Sequence, residues 1–128
     1  MKEKEIKVVK VEPLKAPTID TIINDLDHLQ KAISIGAPSQ GLIEFVYLED
    51  NVSILCNEEG KLIGLEPNRR LGEDILCGVF YLVAEDKNGN LKSLTHAQQD
   101  KYLRLFWDPD IISNDSIDKT IFAKFIGG

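Results

Sequence analysis

Six polar residues in two short stretches have the types that bind or transform small molecules: Asn57, Glu58, Glu59 and Lys61, then Asn68 and Arg69. Arg69 carries a planar fork of donors that suits a carboxylate or a phosphate. Asn68 both donates and accepts. Both stretches read as loops between strands. If the flanking strands pair, the two loops meet at one end or edge of a sheet and could hold a small polar or anionic ligand. The same residues also have a structural use, with Arg69 paired to Glu58 or Glu59 and Asn68 capping a turn through its own backbone. Glu58 and Glu59 are adjacent, so on a strand they would point to opposite faces. Acid–base work by two carboxylates needs a fixed separation across a substrate, and no catalytic residue is assigned.

Other chemistries lack their residues. There is no Walker-type GKS or GKT, no G-x-S-x-G and no H-E-x-x-H. His28 and His96 each stand alone on a helical stretch and read as solvated. Neither a CxxC nor an HxxxH pair is present, so no metal site is expected, because zinc needs three or four convergent ligands. No cofactor is expected either. Cys56 and Cys77 sit in apolar runs, ILC and ILCGVF. They read as two buried, reduced thiols, since burial raises a thiol pKa and quenches its reactivity.

The elements that position these residues follow from patterning. The chain has 128 residues, 43% hydrophobic and 28% charged, a globular balance sized for one core. The net charge of -6 argues against a basic nucleic-acid face and against docking on an anionic membrane. The start, MKEKEIKVVKVEP, lacks the apolar core of a signal peptide. No run approaches a membrane span. The expected compartment is therefore the cytoplasm.

Ile6 to Val11 alternates lysine with β-branched residues and predicts a strand, and Thr18 to Ile23 a short second one. Asn24 looks like a helix N-cap, followed by an apolar stripe of Leu26, Leu29 and Ile33, with Gly36 as the stop. Leu42–Leu48 and Val52–Cys56 flank Glu49-Asp50-Asn51, a hairpin. Asn57–Gly60 is a turn, Lys61–Leu65 an extended piece and Pro67–Gly72 a loop. Asp74–Ala84 reads as one central strand covered on both faces. Asn88-Gly89 marks a turn. Thr95 opens a second helix with Gln98 at the capping-box position, and Ala97, Tyr102, Leu105 and Phe106 form its apolar side up to Pro109. The predicted class is α+β: a mostly antiparallel twisted sheet of four to six strands packed by two helices, plus a short C-terminal element.

The order Cys56-Asn57-Glu58-Glu59-Gly60-Lys61-Leu62, Gly64-Leu65, Pro67-Asn68-Arg69 combines exact residues with spacing. An aliphatic strand with Gly78 and the helix start Ser93-Leu94-Thr95 follow, and LDHLQKAI precedes. Over about residues 5–107 this resembles domain of unknown function 3846, a family of small proteins of bacteria, their phages and mobile elements. Arg70 departs from the small or apolar residue usual there, so no role for it is inherited. The family has no assigned chemistry. The resemblance implies an accessory protein of a phage or mobile element.

The function expected is non-enzymatic: binding of a host protein or of a small polar or anionic ligand, with Asn57, Glu58, Glu59, Lys61, Asn68 and Arg69 as the ligand-binding candidates. Two alternatives stand beside it. One is an acidic DNA mimic, although 21 acids are offset by 15 interleaved basic residues. The other is an enzyme of unfamiliar type, which would need a deep polar pocket at Asn68 and Arg69. No direct nucleic-acid or membrane partner is expected.

Residues 1–107 are expected to form the single domain and residues 108–128 an extension. Ile117, Ile121 and Phe125 recur at helical spacing beside Phe122 and Ile126, with Ser116 placed to cap. A short helix is preferred over a strand. The stretch is too apolar to stay in water. It is expected to dock on the domain, with a homodimer through residues 108–128 or a partner as the alternatives.

Overall fold

The structure is a computed structural model and describes residues 3–113. Ten elements follow one another: β1 (Glu5–Val11), β2 (Thr18–Ile23), α1 (Leu26–Ile33), β3 (Ile43–Glu49), β4 (Val52–Asn57), β5 (Pro67–Leu71), β6 (Asp74–Cys77), β7 (Phe80–Glu85), β8 (Leu91–Lys92) and α2 (His96–Leu105). A six-stranded sheet runs β2-β1-β7-β4-β3, with β8 added on β7, and β5-β6 form a separate two-stranded sheet. Every pairing among the described residues is antiparallel. The fold is α+β, strand-dominated, with helices packed on the sheet.

Strand alternation divides the core between the two faces. Val9, Val11, Ile54, Phe80, Leu82 and Ala84 pack with Tyr102 and Phe106 of α2. Their neighbours in sequence, Val8, Leu55, Tyr81 and Val83, pack with Leu29 and Ile33 of α1. The helices therefore cover opposite faces, which is why β7 is buried from Phe80 to Ala84. At eight residues α1 is too short to persist alone. Burying Leu29 and Ile33 contributes about 1.5–3 kcal/mol each. The Tyr81 hydroxyl adds a bond to the Ala32 carbonyl at 3.0 Å.

Several local expectations are corrected. The N-cap of α1 is Asp25, whose Oδ1 accepts from the His28 amide at 2.8 Å. Asn24 instead prolongs the pairing of β2, its amide donating to the Lys4 carbonyl at 2.7 Å. Leu26, in the first turn, stays exposed. Lys61–Leu65 is a run of turns, with Ile63 N bonded to Glu59 O and Leu65 N to Gly60 O. The expected long strand over residues 74–84 is two strands in two sheets. Gly78, at φ +84, lies where the chain passes from one sheet to the other, and a Cβ there would stand 2.7 Å from Leu65 Cδ1. On α2 the capping box of Thr95 and Gln98 is formed, and Tyr102 and Phe106 are buried, but Ala97 and Leu105 face outward. The element expected over residues 117–126 lies outside the described residues.

Candidate functional site

The loop expected at Pro67–Gly72 is strand β5, and it contains a β-bulge. Pro67 pairs with Cys77 and Arg69 with Leu76, leaving Asn68 as the extra residue. A bulge re-aims side chains. Here it breaks the alternation, so that Pro67, Asn68 and Arg69 are all buried in succession. Asn68 is 0% exposed and Arg69 2%.

Both side chains are committed to the protein itself. Asn68 Nδ2 donates to the Val11 carbonyl at 2.9 Å and to the Gly78 carbonyl at 2.8 Å. Its Oδ1 accepts from Arg69 Nη1 at 2.9 Å. Arg69 Nη1 also reaches the Asn68 carbonyl, Nη2 the Lys15 carbonyl at 2.6 Å, and Nε and Nη2 together the Phe106 carbonyl at 3.2 and 3.0 Å. These bonds match, one for one, the N–H donors a guanidinium carries. Phe106 is the C-cap of α2. The cation thus meets the negative end of the helix and a carbonyl left without an intrahelical partner. Burial pulls the guanidinium below its ordinary pKa, and the nearby Asp110 and Asp108 carboxylates oppose the shift. Asp110 itself accepts from the Arg70 amide at 2.8 Å.

The other stretch holds a different part of the fold. Asn57 is buried at the end of β4. Its Oδ1 accepts from the Glu59 amide at 2.9 Å, and its Nδ2 donates to the Ile33 carbonyl at 3.4 Å. Ile33 is the last residue of α1, so Asn57 serves the end of one helix as Arg69 serves the end of the other. Gly41 lies against the Asn57 amide so closely that a Cβ would fall 2.3 Å from Nδ2. Lys61 forms an ion pair with Asp74 at the start of β6. Glu58 and Glu59 are exposed. Arg69 bonds to backbone carbonyls and to Asn68, not to either glutamate. The six residues are thus divided: Asn57, Asn68 and Arg69 lie inside, Lys61 is half-buried in its ion pair with Asp74, and Glu58 and Glu59 lie on the surface.

Other polar groups are likewise tied within the fold. The Tyr102 hydroxyl donates to Glu49 Oε1 at 2.5 Å, and Lys101 Nζ reaches both oxygens of the same carboxylate. Lys101, then Tyr102, lower the Glu49 pKa, and burial followed by Glu49 raises that of Tyr102. Cys56 and Cys77 are buried and not joined in a disulfide. Burial, with the Glu44 carboxylate, pushes the Cys56 thiol up to about 12. Among the described residues no group of three or more His, Cys, Asp or Glu could hold a metal ion, and no helix is long and apolar enough to cross a membrane.

An opening on the α1 face has a different character. A cavity of about 240 Å³ is lined by Phe45, Ser53, Val83, Glu85, Gly89 and Leu91. It lies beside β3, an end strand of the large sheet. Phe45 and Tyr47, on the same side of β3, are 49% and 68% exposed. The sequence pattern contained the pair as alternating aromatics in a strand. It did not say that this strand ends the sheet, so that beyond Ile43, which packs on the α1-side core, Phe45 and Tyr47 are left exposed.

An antiparallel sheet with one helix on each face, in which Asn57 and Arg69 support the helix ends, makes this an α+β fold. The chain belongs to the family described as Domain of unknown function (DUF3846), whose sequence profile matches residues 6–107. Neither a curated protein nor a solved structure matches the chain.

Proposed function

We propose that the protein is a non-enzymatic interaction module that binds a bacterial host protein through the edge strand β3, in the service of a phage or mobile element. The mobile-element setting rests on the resemblance drawn from the sequence motifs. The observation that carries the binding reading is the exposed pair Phe45 and Tyr47 on an end strand, beside a small apolar opening. Exposed aromatic side chains next to unpaired strand backbone suit a partner that adds a strand and seats one side chain. The cavity volume favours a side chain over a free metabolite, since small-molecule pockets usually run about 300–1,000 Å³. The small anionic ligand is the weaker form of the reading, because Asn68 and Arg69 spend their hydrogen bonds on the fold.

A photo-crosslinking residue at position 47, in chain expressed in bacterial cells, tests the proposal. The expected result is one discrete protein adduct that disappears with Phe45→Lys while the fold is kept. An adduct pattern indifferent to Phe45→Lys overturns it. So does a small anion retained by the purified protein in native mass spectrometry and lost with Arg69→Lys.

A further inference from the structure

A second apolar surface lies where the described chain stops. Ile35, Leu42, Leu62 and Ile63 are each between 38% and 54% exposed. Hydrogen bonds bring the segments that carry them together at one end of the domain. The Gly41 amide donates to Ser34 Oγ at 2.8 Å. The Glu58 amide donates to the Leu42 carbonyl at 2.9 Å, and the Ile63 amide to the Glu59 carbonyl at 3.0 Å. Ile112, almost the last described residue, packs with Ala37 against Leu65, Ile75 and Cys77 at this same end. The chain is therefore delivered to the patch.

We infer that residues 117–126 of this chain are the occupant of the patch formed by Ile35, Leu42, Leu62 and Ile63. The segment supplies Ile117, Ile121, Phe122, Phe125 and Ile126, enough apolar surface to cover four half-exposed side chains. It also carries Lys119 and Lys124, which complement the exposed Glu58 and Glu59 beside Leu42 and Ile63. Only a few residues separate Ile112 from Ile117, so little loop-closure entropy opposes docking. This surface is distinct from the β3 aromatics and stands or falls without them. It gives the surface glutamates of the Asn57–Lys61 turn a use that the fold alone does not.

The test uses the full chain with Ala123→Cys carrying a spin label, since the buried native thiols resist modification. Selective loss of amide signal at Ile35, Leu42, Leu62 and Ile63 is expected, and recovery of those signals in a variant that adds Leu62→Glu and Ile63→Glu. Broadening that leaves these amides untouched overturns the inference. Broadening that appears only when labelled chain is mixed with unlabelled, isotope-enriched chain also overturns it, because the occupant is then a second copy. A truncation ending at Ser113 gives an independent readout. Faster hydrogen exchange at Leu42 and Ile63 relative to the full chain is expected, and unchanged exchange in a folded truncated chain counts against docking.

Discussion

The guanidinium of Arg69 and the carbonyl oxygen of Phe106 are joined twice, through Nε at 3.2 Å and Nη2 at 3.0 Å. The pair binds strand β5 to the end of α2, and the same cation reaches Lys15 in the β1–β2 connection. Asn57 and the Ile33 carbonyl repeat the arrangement at the end of α1. Each helix end is thus supported by a side chain from a distant strand, and at α1 this adds to the turn in which Gly36 takes up the expected left-handed conformation.

Removing Arg69 leaves several buried carbonyls without donors, each costing about 1–3 kcal/mol. Arg69→Ala is expected to destabilise the fold by about 3 kcal/mol or more, and Arg69→Lys by less. At about 3–5 °C per kcal/mol for a chain of this length, thermal unfolding should fall by about 10 °C or more with Arg69→Ala. Were Asn68 and Arg69 free for a ligand, replacing both by alanine would leave the melting curve nearly unchanged, which differential scanning calorimetry will decide.

Gly78 occupies a left-handed conformation and faces Leu65. Gly78→Ala should cost about 1 kcal/mol or more from backbone strain, and further from the crowded Leu65 side chain. Adding Leu65→Ala relieves the crowding but not the strain. A double-mutant cycle by urea unfolding should therefore show a favourable coupling between the two changes, and strict additivity would remove Leu65 from the account.

Glu49 and Glu12 are held below the ordinary carboxylate range, Glu49 by Lys101 and Tyr102, Glu12 by Lys15 and Lys10. A carboxyl depressed in the fold contributes stability above its unfolded pKa and loses it as pH falls through the folded value. Stability should accordingly decline as pH drops below about 4.3. Glu49→Gln should flatten that decline, and an acid limb of unchanged slope would show that the Glu49 pair carries none of it.

The local signals were readable where they depend on near neighbours. Thr95 and Gln98 form their capping box because both partners lie within one turn. The apolar run at Phe80–Ala84 announces a strand buried on both faces. Reading failed where a distant partner decides. Pro67-Asn68-Arg69 has the composition of a loop, and only pairing with β6 and the bulge turn it into buried strand. Gly78 inside ILCGVF gives no sign of a change of sheet until Leu65 and Asn68 are placed around it. Phe45 and Tyr47 alternate as any amphipathic strand would, and their exposure follows from strand order, which sequence patterning does not carry.

Burial and a thiol pKa pushed up to about 12 protect Cys56, and Cys77 is buried in the same way. Neither should react with a disulfide reagent at pH 8 while the protein is folded, and both should react within the dead time of unfolding. Prompt reaction of one thiol in the native state would reveal local opening of the strand that carries it.

Strand β7 lies between β1 and β4, pairing Val9 with Leu82 and Ile54 with Leu82 from its two sides. On a ribosome the β1–β2 and β3–β4 hairpins are both complete before the strand that joins them has been synthesised. Each must wait with one edge unpaired and with Val8, Val9, Ile54 and Leu55 short of the neighbours that β7 supplies. Assembly is then a single late event, governed by the closure of long loops, and slow for a chain of this length. The interval before that event is when the nascent protein is most exposed to aggregation and to chaperone capture.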